Sequence, residues 1–296
     1  MTFDFFKNVK SITQAYNKLS MWGQVLVFAV LLMLLVTIFK KLKIAGHREG
    51  FEVFDDKFLI KTGVDVYDKF YADIYDHIAF NDINNDYEIG EIINATTPTK
   101  KSKMLDIGCG TGHNVADFAS KGFDIIGMDI SAPMIEKAKE NYPEFQFMVG
   151  DALKVDTFAP NTFTHITSLD FTIYYIKNKR MFFENAIRWL MPGGYLIVHL
   201  IEKDVFDNPG EIKINLEKFD YMKQFSMNSS AKIATIHEKF KDKNENIRKN
   251  EHILYMQDVN DISDEAQGVG FIFAGKINMI SNQYGKQYLY IFIKPN

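Results

Sequence analysis

The spacing of apolar residues changes twice along the chain. From Met21 to Phe39 (MWGQVLVFAVLLMLLVTIF) no charge interrupts the apolar run, and only Gly23, Gln24 and Thr37 soften it. As a helix this stretch would extend roughly 28 Å, close to the hydrocarbon thickness of a bilayer. Trp22 stands at one end and Lys40, Lys41 and Lys43 at the other, where interfacial anchors belong. A buried core helix would keep a polar face, and this run has none. A cleaved signal peptide would be shorter and followed by small residues rather than lysine. The pattern therefore predicts a single uncleaved transmembrane helix over 21–39, an N-terminal segment over 1–20 and a charged juxtamembrane linker over 40–64. Lys7, Lys10 and Lys18 precede the span, while Lys40, Lys41, Lys43 and Arg48 follow it. The charge bias places the C-terminal side in the cytoplasm only weakly.

From residue 65 the pattern becomes that of a folded domain. A helical period runs over Val66–Phe80. From Lys103, strand and helix signals alternate. KMLDI, DIIGMD, FQFMV, THITSLD and GYLIVHLI read as strands, with helices expected over 112–120, 133–141 and 179–190. Five such β/α units predict an α/β fold, a doubly wound, mostly parallel seven-stranded sheet with right-handed crossovers. Between about 211 and 257 the segments KIATIHEKFK and HILYM alternate apolar with polar residues, which predicts an antiparallel insertion. A short helix around 262–269 and two closing antiparallel strands, GFIFAGKINMI and QYLYIFIKP, complete a domain over 65–296.

Composition narrows the function. Of 296 residues, 47% are hydrophobic and 14% aromatic, so a disordered or repetitive scaffold is excluded. The net charge of −4 gives no bulk electrostatic case for nucleic acid. Cys109 is the single cysteine, so an intrachain disulfide and a cysteine-rich zinc site are both excluded, and no metal centre is expected.

The candidate chemistry lies in Leu105-Asp-Ile-Gly-Cys-Gly-Thr-Gly112, which follows a strand and opens a helix. Gly108, Gly110 and Gly112 allow a tight turn and close approach to a ligand, and the helix behind them aims its free N–H groups at the site. Asp106 ends the first strand and Asp129 the second, where a carboxylate can accept ribose hydroxyls. Asp151 follows the third strand, where it can accept the exocyclic amine of an adenine. A dinucleotide dehydrogenase is the rival for this fold, but its third fingerprint glycine would fall at His113, and Asp106 would repel a pyrophosphate.

Taken together, the segments resemble the class I S-adenosylmethionine-dependent methyltransferases. LDIGCGTG is similar to the first motif of that family, GMDIS to the second, GDAL to the third, and LMPGG to the turn before the fifth strand. Tyr71-Ala-Asp-Ile-Tyr75-Asp resembles the YAxxYD helix of the small-molecule branch. The resemblance implies S-adenosyl-L-methionine as cofactor. It places Gly108, Gly110 and Gly112 along the methionine moiety with Asp106 near the ammonium. It also implies Asp129 on the ribose, Ile130 and Met134 beside the adenine, and Asp151 and Ala152 at its polar edge. Ser168 and Leu169 would border the sulfonium, and Tyr71 or Tyr75 would cap the pocket.

Methyl transfer needs alignment and exclusion of water more than it needs a base. Acceptor-side candidates are Asp170, Tyr174 and His199, with Thr172 and Tyr175 nearby. No Asn/Asp-Pro-Pro-Tyr follows the fourth strand, and Cys109 sits in the glycine loop, so neither adenine amino-methylation nor a cysteine-nucleophile mechanism is expected. The expected function is a membrane-anchored methyltransferase acting on a small-molecule or lipid-like acceptor, without nucleic acid as partner. The alternative is a non-catalytic, membrane-tethered assembly module, against which the intact set Asp106, Asp129 and Asp151 argues.

Overall fold

The computed structural model describes residues 20, 23, 24, 27, 58–80, 82–202, 212–216, 218–228, 230–279 and 286–296. The chain divides into two compact units, 1–50 and 51–296. The transmembrane helix expected over 21–39 lies outside the described residues, apart from Gly23, Gln24 and Val27, which are helical. Residues 1–19 and most of the expected linker also lie outside them. Among the described residues no helix is long and apolar enough to cross a membrane.

The second unit opens with β1 (Phe58–Thr62), a turn of 3-10 helix at Gly63–Val66, α1 (Lys69–Ala79) and α2 (Asp82–Thr96). The alternating core then runs β2 (Lys103–Ile107), α3 (His113–Ser120), β3 (Asp124–Asp129), α4 (Ala132–Asn141) and β4 (Gln146–Val149). It continues with β5 (Phe163–Ser168), α5 (Thr172–Tyr175), α6 (Lys179–Trp189) and β6 (Leu190–Ile201). Four antiparallel strands follow, β7 (Ile212–Leu216), β8 (Phe219–Asn228), β9 (Ile233–Asp242) and β10 (Ile247–Tyr255). The chain closes with α7 (Val259–Gly268), β11 (Ile272–Asn278) and β12 (Gln287–Ile293).

The large sheet has the order β11-β12-β6-β5-β2-β3-β4, with β12 antiparallel to its neighbours β6 and β11 and the remaining pairings parallel. This is the mixed, doubly wound α/β fold expected. Its two faces are covered differently. Ile89 and Ile92 of α2, Val115 and Phe118 of α3, and Ile135 and Ala138 of α4 are buried in one core cluster. Phe182, Phe183, Ala186 and Trp189 of α6 and Ile262 and Ala266 of α7 are buried in the other. Strands covered on both faces must be nearly continuous in apolar residues, which is why KMLDI and LIVHLI carry so few polar ones. The chain reverses its winding between β2 and β5, so a crevice opens at the C-terminal ends of these strands.

The second sheet has the order β1-β10-β9-β8-β7. β1 pairs in parallel with β10 and comes from within the expected linker, so the folded unit begins before residue 65. The helix expected over 66–80 starts instead at Lys69, because the Asp68 side chain accepts the Tyr71 N–H and caps it. α2 is an element the polar sequence NNDYEIGEIINAT conceals; its buried isoleucines are its only strong signal. The small sheet turns one face to α1. Phe70, Tyr71 and Ile74 are buried there with Phe219, Tyr221, Phe240 and Met134.

Candidate active site

The glycine loop is fixed from behind before it meets any ligand. The Gly108 and Cys109 N–H groups both donate to the Met128 carbonyl, and Gly110 N–H donates to Asp129 Oδ2 at 3.0 Å. Gly108, Gly110 and Gly112 adopt φ of +75°, +54° and +95°. A Cβ at Gly108 would lie 2.5 Å from the Thr172 side chain, and one at Gly112 2.8 Å from Phe147. These two glycines therefore serve close packing, whereas among the described residues Gly110 has only Tyr75 near it, at 3.8 Å from a Cβ. The open side of the loop faces the aromatic ring of α1.

Asp129 accepts two backbone N–H groups, that of Gly110 on Oδ2 and that of Ser131 on Oδ1 at 2.8 Å. Burial pushes its pKa up against those hydrogen bonds. Beyond it, Ile130 is 53% exposed and Val149 50%, two bare apolar side chains at the ends of neighbouring strands. A flat base laid over them would remove that surface from water. Met134, expected beside an adenine, is instead packed into the α1 core, and Ala152 is nearly closed off. Asp151 spends Oδ1 on the Leu153 N–H at 2.9 Å and so shapes the loop after β4.

Asp106 is 1% exposed and accepts a hydrogen bond from Thr167 on Oδ1 at 2.7 Å. Burial raises its pKa to about 7 against the pull of Thr167. Its other oxygen has no hydrogen-bond partner among the described residues, and neither does the Ser168 hydroxyl. Asp170 ends the same edge with φ +48°, followed by Phe171 at +62°, a strained pair that throws the chain across the crevice. Asp170 is reachable by water yet walled in by protein, as at the floor of a cleft, and this enclosure raises its pKa. Glu88 of α2, Asp170 and His199 of β6 bring their ligating atoms within 4.8 Å of one another. Burial, then Asp170 and Asp106, raise Glu88 well above the carboxylate range, and burial lowers His199 to about 4. His199 Nε2 contacts Gln287 Oε1 at 3.1 Å, while Nδ1 faces Glu88 Oε1 at 3.8 Å with no hydrogen-bond partner among the described residues. Two carboxyl groups and an imidazole nitrogen without a hydrogen-bond partner among the described residues thus converge where a cation would be welcome. An ammonium and a sulfonium suit this end of the cleft, and a pyrophosphate does not.

The tyrosines divide by role. Tyr174, expected on the acceptor side, is fully buried; its hydroxyl donates to the Ile201 carbonyl and accepts the Ile201 N–H. It anchors α5 to β6 and is withdrawn from the cleft. Tyr71, expected to cap the pocket, donates its hydroxyl to Glu238 Oε1 at 3.1 Å and is buried. Tyr75 remains over the glycine loop, where Asp170, Tyr175 and Asp129 all act on it electrostatically after burial. Leu169 is buried in the core cluster of α2 and α3.

The small sheet supplies residues that the sequence reading did not single out. Glu238 of β9 accepts from the Tyr221 hydroxyl at 2.6 Å, the Tyr71 hydroxyl and Asn250 Nδ2 at 3.2 Å, and lies 2.8 Å from His252 Nε2. Burial pushes this carboxyl up, but His252 and Tyr221 outweigh it and bring it down to about 2. The signal for this cluster was in the strand period. Arg248, Asn250 and His252 occupy alternate positions of β10 and all face inward, where an ordinary strand would place apolar residues.

Comparison with known proteins fits this geometry. A protein family described as "Methyltransferase domain" matches residues 105–198. The chain is 28% identical over 107 residues to the demethylmenaquinone methyltransferase of Renibacterium salmoninarum, covering 36% of this chain and 44% of that protein. It is 32% identical over 140 residues to the dTDP-4-amino-2,3,4,6-tetradeoxy-D-glucose N,N-dimethyltransferase of Saccharopolyspora spinosa, covering 45% and 55%. The chain spans about half the length of the curated relatives it matches. Among solved structures, an S-adenosylmethionine-dependent methyltransferase from Clostridium acetobutylicum superposes with a TM-score of 0.63 at 16% identity, over 76% of this chain and 98% of that one. An amino pentose methyltransferase from Micromonospora echinaspora, solved with S-adenosylmethionine bound, gives 0.60 at 18% identity, over 76% and 96%. At these identities the two structures establish the shared fold. The domain match and the named relatives show that this part of the chain is similar to methyltransferases.

Proposed function

We propose that this chain is an S-adenosylmethionine-dependent methyltransferase that methylates a nitrogen or oxygen of a small-molecule acceptor. The observation that carries the reading is the crevice between β2 and β5. There a left-handed glycine loop, the carboxylate Asp129 that fixes it, and the buried Asp106, one oxygen of which has no hydrogen-bond partner among the described residues, share one edge of the sheet. S-adenosylmethionine, when bound, supplies a methyl carbon already activated by a sulfonium. The chain's own residues then bind, orient and shield. Asp129 holds the ribose while fixing Gly110, Asp106 and its neighbours neutralise the cationic end, and Tyr75 covers the loop. Asp170 and Tyr175 border the space left for the acceptor. Incubating the full chain with methyl-labelled cofactor and a panel of small amines, phenols and alcohols tests this. Label should pass to an acceptor with release of S-adenosylhomocysteine, and Asp129→Ala should abolish both. Tight cofactor binding without any transfer would favour the non-catalytic module instead.

The apolar run over 21–39 supports a single-pass membrane anchor. A cytosolic supply of cofactor supports a cytoplasmic position for the domain, and proximity to the bilayer favours a lipid-like acceptor. Flotation of the full chain with phosphatidylcholine vesicles tests the anchor. Deleting 21–39 should leave the protein at the bottom of the gradient; flotation unchanged by the deletion contradicts it.

A further inference from the structure

We propose that His252 and Glu238, on the inserted antiparallel sheet, form the proton-accepting pair of the acceptor site, reached through the Tyr175 hydroxyl. The inference rests on the methyltransferase reading above and assigns it an acceptor that must shed a proton, an amine or a hydroxyl.

The geometry orders the pair. Glu238 and Asn250 face each other across β9 and β10, and His252 is diagonal to Glu238 on the same buried face. The carboxylate is held by Tyr71, Tyr221 and Asn250, so it cannot turn away from the imidazole. Its contact with His252 Nε2 at 2.8 Å assigns the ring proton to Nε2. Nδ1 then presents its lone pair on the opposite side, toward the hydroxyls of Tyr67 at 3.4 Å and Tyr175 at 3.5 Å. These are long contacts of the kind that shorten when a site fills. The charged and titratable groups around the ring come from several elements. They are Tyr67 before α1, Tyr71 of α1, Tyr175 of α5, Tyr221 of β8 beside Glu238, and Arg248, which is committed to Asp68.

The link to the cleft is α5. Thr172 packs against Gly108 at one end of α5, and Tyr175, one turn on, brings its hydroxyl to 3.5 Å from His252 Nδ1. Tyr175 therefore stands between the cofactor loop and His252. In the transfer the acceptor's lone pair forms a bond to the methyl carbon, the carbon–sulfur bond breaks, and its electron pair stays on sulfur. An amine R–NH2 or a hydroxyl R–OH is left with one proton too many. That proton passes to the Tyr175 oxygen as the hydroxyl's own proton passes to His252 Nδ1. Glu238, a positioning residue, then holds the imidazolium.

The test uses the full chain with His252→Gln, Glu238→Gln and Tyr175→Phe, the acceptor panel above, and S-adenosylhomocysteine binding measured on each protein. His252→Gln should lower kcat about 100-fold near neutral pH, with KM for the cofactor unchanged. The deficit should narrow as pH rises and the acceptor sheds its own proton. Tyr175→Phe keeps the ring and should show the same pH-dependent deficit, which preserves the test if His252→Gln unfolds. A deficit equal at every pH, or confined to KM, makes the pair structural and overturns the proposal. So does transfer by the wild type only to tertiary amines or thioethers, or no transfer at all from protein that binds S-adenosylhomocysteine. If folded wild type binds no S-adenosylhomocysteine, the cleft reading itself fails. Binding retained with no proton-dependent deficit defeats the dyad alone.

Discussion

Asp106 shows how much one buried carboxyl can report. Its pKa of about 7 in the fold lies above the ordinary 3.8, so between those values the folded chain holds a proton that the unfolded chain has lost. Stability from this group is present below about pH 4 and drains away as pH rises toward 7. Asp129, Asp170 and Glu88 are shifted in the same direction by burial. His199 runs the other way: lowered to about 4, it contributes stability above pH 6.5 and loses it as pH falls. Asp106→Asn keeps the oxygen that accepts from Thr167 and removes the ionisation. The cofactor-free chain should gain on the order of 1–3 kcal/mol at about pH 8 and little at about pH 4, read as the shift in urea midpoint. A fall in stability at the higher pH would refute the assignment. A cationic cofactor needs these carboxylates ionised, so its binding should release protons and weaken as pH falls below 7. Calorimetry in two buffers of different ionisation enthalpy checks this.

At the scale of elements, the glycine loop and the α1 cover hold the cleft. Gly108→Ala would force a Cβ to within 2.5 Å of Thr172 at a positive φ, so the loop or α5 must move. A loss of about 2 kcal/mol in stability is expected, with cofactor binding falling at least as steeply. A melting temperature and affinity equal to wild type would refute it. Arg248 Nη1 donates to both carboxylate oxygens of Asp68, each at 2.9 Å, and the guanidinium lies 4.6 Å from the Phe70 ring centroid. Because Asp68 also caps α1, Arg248→Met should loosen the helix from β10 and cost about 2–4 kcal/mol. Hydrogen exchange should show that loss first in residues 69–79.

The parallel core was legible because its strands are short apolar runs, most of them followed by a turn and an amphipathic helix. The predicted helices over 112–120, 133–141 and 179–190 differ from those found by a residue or so. Glycines and carboxylates of the first two motifs could be placed because each ends a strand at the same sheet edge. What stayed hidden had physical reasons. β1 is five residues in a charged stretch, and among the described residues it pairs only with β10, nearly two hundred residues later. α2 carries Glu88, whose nearness to His199 and Asp170 is purely tertiary. The Glu238–His252 pair was obscured because inward-facing polar residues mimic an exposed strand face. Tyr174 and Tyr175 could not be told apart by neighbourhood alone; which hydroxyl faces Ile201 and which faces His252 depends on the turn at Phe171.

For the molecule as a whole, two sheets divide the work. The large sheet builds the crevice at its winding reversal, and the inserted sheet brings Glu238 and His252 to the helix that covers that crevice. Cofactor binding and proton removal both require a cationic nucleoside cofactor in the space between Asp129 and Asp106. The most direct measurement is a calorimetric titration of S-adenosylhomocysteine and S-adenosylmethionine into the full chain in detergent, beside Asp129→Ala. Micromolar binding of both, weakened at least about 100-fold by the substitution as two charge-assisted ribose hydrogen bonds are lost, is the expected result. A folded wild-type chain that binds neither would contradict the account at its centre.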